Sequence, residues 1–287
     1  MATTPETPVA SGAMSIAGAV LDHVAVAAEA WHLTWPRYVV ELGAEWSSGG
    51  FEVGFAPSQL RFANGARLEV LAPHEPARNP FLRRFLDTSG PGPHHMTFKV
   101  PDIAAALAEV EAAGFEPVQV QLSDPFWKEA FLHPRQACGV VVQLAQSAGD
   151  FHAPAPEGFP TGHPPERCSL RHVTHAVADL DAAMALFAAL LGGSETARLG
   201  ADDGSWEAVE LTWAGPLRVR LVAGTAVADW IGQRPGRVHH LALARPTAYP
   251  GATDDGPDLV AVGPAERPAA VVGPDENLGT RLVVGRH

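Results

Sequence analysis

The sequence predicts an α+β protein: four βαβββ modules forming two tandem domains, each with a curved mixed sheet around a cleft. Three observations predict it. Strand-like phrases built around a histidine recur, LDHVAVA (21–27) and HHMTFKV (94–100), then LRHVTHAV (170–177) and VHHLALA (238–244). His23 and His95 stand 72 residues apart and His172 and His240 stand 68 apart, a self-similarity that marks repeated supersecondary units. The first three phrases lead into a helical pattern and then into short strands. A Pro- and Gly-dense stretch, residues 147–166, separates the two pairs and predicts a linker.

In the first module, strand 21–27 leads into a helix around 29–42, with Trp31, Trp35, Val39 and Leu42 spaced for one buried face. Pro36 fits that helix in its first turn or at a kink. Three strands follow, FEVGFA (51–56), QLRFA (59–63) and RLEVLA (67–72), with Asn64-Gly65 as a hairpin turn between the last two. The second module repeats the order: strand 94–100, helix 103–114 ended by Gly114, and strands 117–122, 128–134 and 139–145. The third gives helix 179–192 and strands 206–213 and 217–223. In the fourth, RPTAYPGATDDGPDLVAV is too rich in Pro and Gly for a regular helix, so a loop is expected there, with strands near 259–263, 269–272 and 280–285.

The expected domains are therefore a flexible tail 1–17, a first domain 18–146, the linker 147–166 and a second domain 167–287. A net charge of −12 excludes a nucleic-acid backbone or an anionic membrane as main partner and leaves a small molecule. No apolar run approaches the roughly 20 residues of a membrane span. The start of the chain lacks a basic, apolar leader pattern, and two cysteines without CxxC spacing fit a reducing compartment. A cytoplasmic monomer or homodimer is the expectation.

Opening and closing strands of paired βαβββ units can face each other across a cleft, and strand alternation then selects the inward residues. In the first half these are His23 and His95 on opening strands, with Glu69 and Gln143 at matching places in the closing phrases RLEVLAP and VVVQLAQ. Two imidazoles, a carboxylate and an amide oxygen form a donor set suited to a divalent ion of the Zn, Ni, Co, Mn or Fe class. His94 is expected on the opposite strand face and His133 in a loop or at the substrate's edge. The same register in the second half gives His172, Arg220, His240 and Val283, which lacks the donors for a metal; His175 falls on the other face.

At these residues the chain resembles the vicinal oxygen chelate superfamily, which includes glyoxalase I, methylmalonyl-CoA epimerase, extradiol dioxygenases and bleomycin-resistance proteins. The likeness spans most of 18–287 and is greatest over 20–146, toward the epimerase-like branch, in ARLEVLAP, NPFLRRFLDTSGPGPHHMTFKV and AFLHPRQACGVVVQLAQ. It implies two tandem glyoxalase-like domains with His23, Glu69, His95 and Gln143 as metal positions. Epimerases of this kind carry glutamates where this chain has Gln143 and Ser47. A glutamine cannot shuttle a proton, which leaves Glu45 and Glu52 as nearby candidate bases; Glu52 is assigned the catalytic role. The leading expectation is a metal-dependent lyase or isomerase acting next to a carbonyl. The alternatives are a non-catalytic small-molecule-binding or resistance protein of this fold and an iron(II) ring-cleaving dioxygenase using the two histidines and Glu69.

Overall fold

The computed structural model describes residues 15–149, 152–162, 164, 166–253 and 268–286. Its first sheet contains eight strands: β1 (Val20–Ala27), β2 (Glu45–Gly49), β3 (Gly54–Arg61), β4 (Arg67–His74), β5 (Gly92–Lys99), β6 (Pro117–Gln121), β7 (Trp127–Leu132) and β8 (Val141–Ser147). They lie in the order β2-β3-β4-β1-β5-β8-β7-β6. The two opening strands β1 and β5 pair antiparallel at the centre, and each is flanked by its module's closing strand in parallel. This is the βαβββ grammar twice over. The second sheet repeats it with β9 (Ser169–Val177), β10 (Ser194–Gly200), β11 (Glu207–Thr212), β12 (Arg218–Ala223), β13 (Gly236–Arg245), β14 (Ala269–Val272) and β15 (Leu282–Arg286), in the order β10-β11-β12-β9-β13-β15-β14.

Of the four α-helices among the described residues, the two that follow β5 and β9 carry the expected sequence signals, and the other two were not expected from the sequence. Helix α1 (Phe81–Ser89) precedes β5, and α2 (Ile103–Ala112) is capped by Asp102, whose carboxylate accepts from the Ala104 and Ala105 N–H groups. Asp179 caps α3 (Leu180–Met184) in the same way, and that helix continues as π-helical turns over Ala185–Leu190. A short α4 (Ala228–Ile231) leads to β13.

Several elements depart from the sequence expectation. The helix of 29–42 is a 3₁₀ turn, Trp31–Leu33, followed by a π-helical stretch, Pro36–Glu41, because Pro36 has no N–H to continue the helix from Trp31. FEVGFA is not one strand: β2 lies earlier, and the chain turns at 50–53 before β3. Alternating Phe51, Val53 and Phe55 imitate a strand, yet Phe51 is 67% exposed and stacks on Trp31. Strand β10, unexpected from sequence, is a largely polar edge strand with no hydrophobic alternation to betray it. In the fourth module, the strand expected near 259–263 lies outside the described residues, and 246–253 contain no helix.

The two halves share one hydrophobic cluster, in which Phe98 of β5 meets Phe187 and Trp213 at ring distances of 6.3 and 5.2 Å. Ile16 is buried in this cluster, and its N–H donates to the Leu190 carbonyl. Within 147–166, Phe159 packs between Trp35 and Trp46, and Trp46 Nε1 donates to the Ala153 carbonyl. The opposite face of the first sheet, over Ala25, Ala27 and Leu71, is covered in part by Leu82 and Leu86 of α1. The rest of that face forms the floor of a cleft.

Candidate metal centre

Three side chains meet on the cleft floor. His23 comes from β1, Glu69 from β4 and His95 from β5, and all three are buried. Glu69 Oε2 lies 3.6 Å from His23 Nε2 and 3.5 Å from His95 Nε2, and all three ligand atoms fall within 4.8 Å of one another. Donors about 2.1 Å from a tetrahedral ion stand roughly 3.4 Å apart, so this spacing fits a small divalent cation. His95 Nε2 is buried without a hydrogen-bond partner, an expensive state that a bound cation would relieve. Gln143 of β8 stands beside the three. Its Oε1 accepts from Thr97 Oγ1 at 2.5 Å, and that hydroxyl lies 2.9 Å from His23 Nε2.

Two bulges shape the site. Pairing between β1 and β5 skips Asp22 and then His94, so each sits beside the histidine that follows it in sequence. Asp22 Oδ2 accepts from His23 Nδ1 at 2.8 Å, and His94 Nδ1 lies 2.8 Å from His95 Nδ1. His94 therefore lines the cleft with His95, not the opposite face that plain alternation assigned to it. Burial opposes charge on His23, but Glu69 and Asp22 outweigh it and push its pKa up to about 9. Burial, then the neighbouring His94 and His23, hold His95 neutral, well below the ordinary range and against the pull of Gln143. Burial raises the Asp22 carboxyl, but the bond to His23 and the charges of His23, Lys99 and Arg67 bring it far below the usual carboxylate range.

The cleft encloses 830 Å³ and is walled by Phe55, Leu71, Phe81, Trp127 and Phe131, with Phe126 at 64% exposure on its rim. Strands from both edges of the sheet contribute to this wall. Glu52 lines the cleft from the exposed 50–53 turn, whereas Glu45 pairs with Arg167 and Arg61 elsewhere. The carboxylate that sequence reasoning missed is Glu129 of β7. Its Oε2 accepts from Gln143 Nε2 at 2.6 Å and from Trp127 Nε1 at 2.8 Å. Burial raises its pKa above the usual carboxylate value; the Trp127 and Gln143 bonds work against this, and the charges of Glu69 and Glu52 add to it. The available signal was the inward alternation of β7, on which Glu129 and Phe131 share a face. His133 also lines the cleft, exposed at its edge. Cys138 is buried in the turn before β8, and burial followed by Asp179 pushes its thiol up to about 11.

The second half holds the matching residues without the matching chemistry. His172 and His240 stand 6.1 Å apart, and Thr174 Oγ1 lies 3.0 Å from His240 Nε2. Arg220 stands in the place of Glu69 and pairs with Glu210 at 3.0 Å; Val283 is buried in the place of Gln143. Burial, then Arg220, Arg171 and Arg218, push His172 well below the ordinary histidine range. Among the described residues, His23, Glu69 and His95 form the one cluster of histidine, cysteine or carboxylate groups spaced for a metal.

Comparison with known proteins places this geometry in context. The model of one family, described as a glyoxalase-like domain, matches residues 21–191, more than half of the chain. No curated protein matches. A triple mutant of 4-hydroxymandelate synthase from Streptomyces coelicolor is similar in structure over 79% of this chain and 71% of its own, with a TM-score of 0.58 and 14% identity. Methylmalonyl-CoA epimerase from Mycobacterium tuberculosis aligns over 45% of this chain and 89% of its own, with a TM-score of 0.41 and 24% identity. A hypothetical protein from Bacillus halodurans C-125 aligns over 47% and 99%, with a TM-score of 0.42 and 23% identity. Among the described residues no helix is long and apolar enough to cross a membrane.

Proposed function

The chain belongs to the glyoxalase-like family of the vicinal oxygen chelate superfamily, and on that premise we propose that it is a metal-dependent lyase or isomerase acting next to a carbonyl of a small molecule. The observation that carries this reading is the buried His23–Glu69–His95 group on the floor of a cleft. These three residues, with Gln143 as fourth donor, would hold a divalent ion. Such an ion supplies Lewis-acid polarisation of a substrate oxygen, which acidifies the neighbouring C–H. Gln143 would serve as a donor to the ion, and its amide cannot act as the base.

Proton transfer then falls to Glu129. Trp127 and Gln143 both donate to Oε2, which fixes the carboxylate beside the metal position and leaves Oε1 as the oxygen that takes and returns the proton. Burial raises its proton affinity above that of an ordinary carboxylate, the direction a group that takes and returns a proton requires. Glu52, on the exposed turn at the cleft's lip, is the second candidate for this role. The aromatic wall orients the substrate's apolar body and keeps water from the reacting carbon.

Solvent deuterium exchange into candidate carbonyl compounds tests the proposal. Glu129→Gln is expected to slow exchange roughly 100-fold or more while metal content is unchanged. Wild-type exchange in that variant, or slowing in Glu52→Gln instead, moves the role away from Glu129. An oxygenase reading rests on the same two histidines and carboxylate. Substrate-dependent oxygen consumption without deuterium exchange would establish that reading in place of the first. Tight small-molecule binding with neither activity would make the protein a non-catalytic binder.

A further inference from the structure

We propose that Asp22 is a positioning residue of the metal centre, one that fixes which nitrogen of His23 faces the ion; this rests on the metal reading of the His23–Glu69–His95 site. An ionised carboxylate can only accept a hydrogen bond, so the 2.8 Å contact from Asp22 Oδ2 places the proton of His23 on Nδ1. When the ring gives up a proton to an ion, Nε2, the nitrogen nearest Glu69, is then the one left with the lone pair. The other Asp22 oxygen lies 3.4 Å from both Arg67 and Lys99, which anchor the carboxylate from the cleft side. A β-bulge makes the contact possible, since in a regular strand adjacent side chains point to opposite faces.

The second half supplies an internal comparison. Pairing between β9 and β13 also skips two residues, Arg171 and His239. By position in the sheet, Arg171 is the counterpart of Asp22 and His239 that of His94. His239 keeps the contact seen in the first half, with its Nδ1 2.8 Å from His240 Nδ1. The backbone device and the two central histidines thus persist without the metal donors. The differences include the groups that would serve a cation: Glu69 is matched by Arg220, Gln143 by Val283 and Asp22 by Arg171. If Asp22 served the strand alone, its counterpart would have no reason to reverse charge together with the ligand's. A guanidinium at that place cannot accept a proton from imidazole Nδ1.

The test uses the full chain and zinc as probe. In the zinc-loaded wild type, nitrogen-15 NMR of the imidazoles is expected to show His23 protonated at Nδ1 and bound through Nε2. Asp22→Asn should weaken zinc binding about 10- to 100-fold in chelator competition at fixed pH, with circular dichroism unchanged. Asp22→Glu should recover most of the loss. A His23 that binds zinc through Nδ1 overturns the proposal with no variant needed. Affinity within threefold of wild type in a folded Asp22→Asn chain overturns it as well. A wild type that takes up no zinc is a different result, because it removes the metal reading itself.

Discussion

His23 and His95 face the same carboxylate yet hold opposite protonation states. His23 is pushed up to about 9 by Glu69 and Asp22 against its burial, whereas burial, His94 and His23 keep His95 neutral. An ion binds only the neutral imidazole, so uptake below pH 9 must expel the His23 proton. Affinity should therefore rise about tenfold per pH unit up to about 9 and level off above it. Calorimetry in buffers of different ionisation enthalpy should report about one proton released per ion at pH 7. At this scale the sequence was informative wherever the repeat register reached. His23, Glu69, His95 and Gln143 meet as their matched phrases implied. The register could not find Asp22, because a bulge brings it to the site against the alternation of the strand. Nor could it find Glu129, which meets Gln143 diagonally across β7 and β8, a contact that depends on strand pairing.

Elements with a chemical start signal were the most legible. Asp102 and Asp179 each follow an opening strand, and each caps the helix after it, so the strand–cap–helix phrase repeats with the modules. Asp102→Ala should cost about 1 kcal/mol of stability, read as a lower urea midpoint with unchanged slope; no shift would mean that the two N–H groups find water equally well. Illegible elements lacked such signals. Edge strand β10 pairs through its backbone while its side chains face largely to solvent, leaving no period to detect. The 50–53 turn misled for the opposite reason: its apolar residues alternate like a strand, but Phe51 spends its surface on Trp31 and His74.

The whole molecule is a pair of sheets joined closely enough for a histidine of one half to bond the backbone of the other. His175 of β9, buried, contacts the Cys138 carbonyl through Nε2 at 2.8 Å, close to where Gly139 and Gly236 meet. The sequence indicated two halves by their repeat and the Pro-rich stretch between them, but this contact depends on packing that no local pattern encodes. Burial, opposed by the Cys138 bond, lowers His175 to about 4 from the 6.5 of an exposed imidazole. The unfolded chain binds that proton first, so the stabilisation is present above pH 6.5 and is lost as pH falls toward 4. Between pH 7 and 5 the loss is about 2 kcal/mol. His175→Gln, which cannot take the proton, should flatten the pH dependence of urea unfolding by that amount; an unchanged slope would place the acid sensitivity elsewhere. The unequal division of chemistry between two halves of like topology is the central claim, and metal content tests it most directly. After zinc loading and removal of excess, wild type and His240→Ala should each retain about one equivalent per chain, and Glu69→Ala should retain none. No metal in wild type, or a loss in His240→Ala that matches Glu69→Ala, would contradict the account.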